Sequence, residues 1–115
     1  MIEAYPVHPA NSGRTMVDRE LLELKREFLG EAEAKAREIQ RMLDGERDSA
    51  STERLGYLAH QLKGAGGSYG YQEISDEAAA IEKGVEGEDG DVSQHALKLR
   101  DAIEKAQRDV VSESA

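Results

Sequence analysis

Leu58-Ala-His-Gln-Leu-Lys-Gly-Ala-Gly-Gly-Ser-Tyr-Gly-Tyr71 is the stretch that decides how this 115-residue chain is read. The sequence around it is amphipathic, rich in Glu, Ala, Lys and Arg, and 34% charged in all. Between Leu55 and Gln72 only Lys63 carries a formal charge, while glycine occupies positions 56, 64, 66, 67 and 70. On a helical wheel at about 100° per residue, Leu58, Ala59, Leu62, Ala65, Gly66 and Tyr69 gather into one stripe. Their i, i+3, i+4, i+7 spacing is that of a helix covering a core. His60 falls off that stripe, at about 140° from Leu55, with Gly64 and Gly67 at about 180° and 120°. Each interior glycine costs on the order of 1 kcal/mol of helix propensity relative to alanine. A merely solvated face has no use for that cost; a face approached closely by another molecule's backbone does.

Outward from this stretch the punctuation predicts four helices. The motif helix starts near Ser51 or Thr52, either a plausible N-cap, with Glu53 in the first turn. It ends near Tyr69, where Gly70 suits the left-handed position beyond a helix end. Gly64-Ala-Gly-Gly-Ser could instead be a loop closing the helix at Lys63, but the stripe continuing through Ala65 and Tyr69 favours helix. Upstream, Leu21, Leu22, Phe28, Leu29, Ala32, Ala36, Ile39, Met42 and Leu43 mark a helix from about Val17 to Asp44, capped near Thr15 or Asp18. Downstream, Ile74, Ala78, Ile81 and Val85 mark a third helix from about Gln72, weakened at Gly84 and Gly87. After the turn at residues 87–90, Asp91-x-x-Gln94 resembles a capping box. It opens a fourth helix to about Val111, with Val92, Ala96, Leu99, Ile103, Ala106 and Val110 as a bundle seam. Short turns between four stripes predict an all-α, antiparallel up-down-up-down bundle over residues 17–111. Residues 1–16, with Pro6, Pro9 and an Asn-Ser-Gly turn signal, read as an N-terminal arm, and residues 112–115 as a tail.

Composition narrows the function. A net charge of −9 argues against binding nucleic acid or an anionic membrane through a basic patch. No apolar run reaches the roughly 20 residues of a membrane span, and the first residues lack a signal-peptide pattern, so a cytoplasmic location is expected. Without cysteine there is neither a disulfide nor a thiolate ligand. His8, His60 and His95 are dispersed, so no metal site and no cofactor are expected. The glycines fail as a phosphate loop because Lys63 precedes Gly64, and they fail as a dinucleotide fingerprint because no strand leads into them.

One chemistry survives. A solvent-facing helical histidine is usually idle, but the glycines around His60 reverse that expectation. Imidazole attacks phosphorus directly, and the resulting N–P bond is weak enough to pass the group on to a carboxylate. Such a carrier needs no complete active site, because positioning and charge neutralisation can come from a partner with its Mg²⁺. Lys63, one turn along, can offset the phosphoryl charge as a point cation. Gly64 and Gly67 leave room for the partner, and Tyr57 and Gln61 are candidate docking residues beside them. His95-Ala-Leu-Lys98 repeats the spacing, but Leu99 stands where a clearance glycine is expected, so His95 reads as structural.

His60-Gln-Leu-Lys63-Gly64-Ala, followed by the Gly/Ser run and Tyr-Gly-Tyr, resembles the signature of histidine-containing phosphotransfer (HPt) domains. That pattern is His-x-x-Lys-Gly and small residues on the second helix of a four-helix bundle, and the resemblance extends over about residues 18–110. It implies His60 as phosphoacceptor on Nε2, Lys63 beside it and Gly64 as the clearance residue. It further implies response-regulator receiver domains and a hybrid or sensor histidine kinase as partners in a His–Asp phosphorelay, with the chain a carrier and not an enzyme. Two other readings remain open: an adaptor that binds a receiver or kinase without taking phosphate, and the His-bearing module of a chemotaxis-type kinase, for which this chain holds no catalytic domain.

Overall fold

Each of the four amphipathic stripes becomes a helix. In the computed structural model the backbone is described for residues 4–87 and 91–114, and side chains for residues 18–87 and 91–113. The elements are α1 (Ala4–Asp44), α2 (Ser49–Ser68), α3 (Gln72–Gly87) and α4 (Val92–Ser114), with no strand among the described residues. Among them α2 packs on α1 and α3, and α4 on α3 and α1, while the diagonal pairs do not meet. With connections this short, a four-membered ring of neighbours is an up-down-up-down bundle.

The core is a column of branched aliphatics from all four helices. Leu29 and Ile39 of α1, Leu55, Leu58 and Leu62 of α2, Ile74 and Ile81 of α3, and Leu99, Ile103 and Val110 of α4 are each less than 2% exposed. No polar or charged residue is buried among the described ones, so the core needs no internal polar partner and packs by shape alone. The expected stripes therefore hold, except at the start of α1. Leu21 and Leu24 are exposed and Leu22 is half-buried, because the rest of the bundle first covers α1 near Phe28.

Helix ends depart from expectation where two signals compete. The cap of α2 is Asp48, not Ser51 or Thr52: its Oδ1 accepts from the Ser51 amide at 2.9 Å and from the Ser51 hydroxyl at 2.9 Å. Those bonds, the amide first, hold the Asp48 carboxyl below its ordinary pKa. Asp91 caps α4 as expected, accepting from the Gln94 amide at 3.2 Å. α1 begins at Ala4 and not near Val17, so the expected arm is helical backbone from Ala4 onward. Pro6 lies in the first turn, where amides have no intrahelical acceptor and proline forfeits no bond. The side chains of His8 and Thr15 lie outside the described residues, as do residues 88–90 of the expected turn. α4 runs through the expected tail to Ser114.

Between α2 and α3 the chain reverses within three residues. Gly70 takes φ +84°, as expected of a residue past a helix end, and the Tyr71 amide donates to Gly66 O at 2.7 Å. The two tyrosines flanking that turn reach down to α1: Phe28 stacks on Tyr69 at 5.0 Å and on Tyr71 at 6.1 Å between centroids. Gly66 is the contact point of α2 with α3. A Cβ there would stand 3.2 Å from Ile74 Cγ2 and 3.2 Å from the Ser75 amide nitrogen. The Ser75 hydroxyl then donates to Lys63 O at 2.8 Å, joining the two helices one turn from His60.

Candidate functional site

The α2 stripe places Leu58, Ala59 and Leu62 in the core, and helical geometry therefore turns His60 outward. Its side chain is 62% exposed. α2 remains helical through Ser68, so Gly64 is helix and not loop. Gly64 is exposed, and an added Cβ there would have nothing within 4 Å. No packing requirement inside the bundle explains its glycine. Gly67 is exposed as well, with the Ser75 hydroxyl 3.6 Å from the position of an added Cβ.

The residue that sequence reasoning misses is Glu82. It projects from α3 between His60 and Lys63 and bonds both. Oε2 lies 2.9 Å from His60 Nδ1, and Oε1 lies 2.9 Å from Lys63 Nζ. The Lys63 bond is the main cause that holds the Glu82 carboxyl below its ordinary pKa, with the His60 bond adding to it and burial opposing. An ionised carboxylate only accepts, so Nδ1 of His60 carries the hydrogen and donates it. In the neutral ring that bond selects the tautomer with its lone pair on Nε2. Lys63, expected as an isolated cation, is instead tethered, while remaining 40% exposed.

Tyr57 and Gln61 are also brought together. Gln61 Nε2 donates to the Tyr57 hydroxyl at 2.9 Å, and the Arg54 guanidinium lies 5.6 Å from the Tyr57 ring centroid. Arg54 in turn donates to Glu38 of α1 at 3.1 Å. Tyr57 is 52% exposed on the His60 side of α2. Tyr71, just beyond the end of α2, packs on Phe28 of α1. His95 reproduces part of the arrangement: its Nδ1 lies 2.6 Å from Glu77 Oε1 of α3. Its ring is only 33% exposed, and the residue one turn on is the buried Leu99, as expected of a structural histidine.

Among the described residues no three histidine or acidic side chains converge as metal ligands. No described helix is long and apolar enough to cross a membrane. No curated protein and no solved structure matches the chain. The family model of the Hpt domain, however, matches residues 23–109. That span holds α2 and α3 complete, with His60, Lys63, Gly64 and Glu82 inside it, and the chain belongs to the Hpt domain family.

Proposed function

We propose that the chain is a phosphocarrier of a His–Asp phosphorelay and that Nε2 of His60 takes the phosphoryl group. Domains of this family are phosphocarriers rather than enzymes, and they work with receiver domains and histidine kinases. The observation that carries the residue assignment is the bridge by Glu82: one carboxylate oxygen on His60 Nδ1, the other on Lys63 Nζ.

The chemistry follows from that bridge. The Nε2 lone pair attacks the phosphorus of an aspartyl phosphate on the receiver. An N–P bond forms, the acyl P–O bond breaks, and the receiver aspartate leaves as a carboxylate. The phosphorylated ring is cationic and keeps its Nδ1 hydrogen, which Glu82 already accepts, so no proton has to move during transfer. Lys63 stands one turn away to offset the incoming phosphoryl charge. Mg²⁺ and the remaining electrophilic help belong to the receiver. The next acceptor takes the group by the same steps in reverse.

The test is labelling by a ³²P-phosphorylated receiver with Mg²⁺, scored as acid-labile, base-stable protein phosphate. His60→Gln abolishes the label while helical circular dichroism is retained, and His95→Gln keeps it. Label that persists in the first variant, or disappears selectively in the second, refutes the assignment.

A further inference from the structure

Opposite its core stripe, α1 carries segregated charge around a bare centre. With Gly30 as zero on a wheel of about 100° per residue, Glu23, Glu27, Gly30, Ala34, Arg37 and Arg41 fall within an arc of about 80°, and all six are exposed. Like is stacked on like: Glu23 and Glu27 stand one turn apart in the first half of the face, Arg37 and Arg41 one turn apart in the second. Like charges at that spacing destabilise a helix on its own. Little inside the chain relieves them. Arg37 bonds Glu33 at 2.7 Å from a side chain that is 65% exposed, and Glu23, Glu27 and Arg41 make no ion pair among the described residues. Gly30 lies between the two charged pairs, with nothing within 4 Å of an added Cβ. No contact inside the bundle explains a glycine at that position, and its cost to helix propensity goes uncompensated there.

We propose that this face is an interface with a second copy of the chain, α1 packed antiparallel on α1 about a two-fold axis at the level of Ala32. In that single register Gly30 meets Ala34, Glu27 meets Arg37 and Glu23 meets Arg41, each pair occurring twice. Every charge stacked on its like within one chain gains an unlike charge across the interface. A parallel pair would instead set Glu against Glu and Arg against Arg, and a partner of uniform charge would be attracted by one half of the face and repelled by the other. The bare centre lets the two axes approach toward the short end of the roughly 8–10 Å range for packed helices. On α4, Gln107 bonds Glu33 beside this face, and Val111, one turn on and 65% exposed, adds an apolar edge. The packing leaves the α2–α3 side open, with His60 accessible in both copies, because α3 makes no contact with α1. The interface therefore stands or falls independently of the carrier reading.

The experiment is sedimentation equilibrium of the full chain at concentrations up to about 1 mM, at low and high salt, with circular dichroism as the check on folding. The wild type forms a dimer, less readily at high salt. Glu23→Arg/Glu27→Arg makes the four charges of the face all basic, and Arg37→Glu/Arg41→Glu makes them all acidic. Each double variant weakens self-association more than about tenfold, and an equimolar mixture of the two restores a dimer holding one copy of each. Gly30→Leu, which fills the bare centre, weakens the wild-type dimer; added to both reversed variants it weakens the mixed dimer as well, which separates close packing from the bare attraction of opposite charges. A wild type that stays monomeric over the whole range overturns the interface. So do reversed variants that dimerise like the wild type, a mixture that stays monomeric, or a Gly30→Leu chain that dimerises undiminished.

Discussion

Gly64 and Gly66 lie two residues apart on α2 and respond in opposite directions to a single methyl group. At Gly64 the new Cβ has nothing within 4 Å and the backbone is ordinary helix. Gly64→Ala therefore gains helix propensity, up to about 1 kcal/mol, which for a domain of this size is about 4 °C in Tm. At Gly66 the same gain is opposed by two contacts of 3.2 Å, one to Ile74 Cγ2 and one to the Ser75 amide nitrogen. Neither neighbour yields easily. Ile74 is 1% exposed, and the Ser75 amide donates to Tyr71 O at 3.0 Å while its hydroxyl holds Lys63 O at 2.8 Å. Relief requires α3 to back away from α2.

Overpacking of this kind costs about 1–3 kcal/mol. Subtracting the propensity gain leaves a net loss centred on about 1 kcal/mol, or about 4 °C in the opposite direction. The assay is a paired thermal melt by circular dichroism or calorimetry, with transfer from a phospho-receiver measured on the same preparations. Because α3 carries Glu82, Gly66→Ala also slows transfer although it touches no group at His60. A Gly66→Ala variant that melts at or above the wild type refutes the reasoning, since it means the α2–α3 contact has slack that the distances do not show.

Three further outcomes are expected. Gly64→Leu sets a branched side chain one turn beyond the imidazole and cuts transfer sharply without lowering Tm; undiminished transfer would remove the clearance argument. Lys63→Ala slows transfer or shortens the phosphohistidine lifetime with little effect on Tm, because a partly exposed ion pair is worth only about 0–1 kcal/mol; unchanged kinetics would leave Lys63 a tether and nothing more. Glu82→Gln makes the site's pH dependence visible. The Glu82 pKa lies lower in the folded than in the unfolded chain, so the unfolded state binds more protons and stability rises with pH in that window. The Tm gap between wild type and Glu82→Gln is at full size above the ordinary value of 4.5 and closes as pH falls through the lower folded value. A gap that stays constant into acid would mean the bridge contributes no stability.

What was legible in the sequence is what a single helix encodes in its own period. The outward position of His60, the burial of Leu55, Leu58 and Leu62, and the left-handed Gly70 all follow from spacing along one element. Glu82 was not legible, because it lies 22 positions from His60 on another helix. It is one of 24 acidic residues, and nothing local distinguishes it from Glu86, one turn on. Only the rotation of α3 about its axis, set by Ile74, Ala78 and Ile81 meeting the core, selects which carboxylate faces the imidazole. Asp48 was missed for a different reason: Asp48, Ser51 and Thr52 are all competent caps, and a pattern cannot rank competitors three residues apart. Gly66 reads along the sequence as a small residue within the stripe. Its cost to helix propensity is offset by the approach of α3, which a one-dimensional reading cannot see.

The tyrosines give the bundle an optical consequence. With no tryptophan and four tyrosines, the chain's near-ultraviolet emission comes from its phenols. The three with described side chains divide by environment. Tyr57 stands in water beside the phosphoacceptor candidate, whereas Tyr69 and Tyr71 lie half-buried against Phe28. A soluble quencher such as iodide or acrylamide therefore reaches Tyr57 first, and a macromolecule settling over His60 shields that ring while leaving the other two as they were. Occupancy of the histidine face can be followed in the unlabelled wild-type chain, against an internal reference supplied by the aromatic stack under the α2–α3 turn.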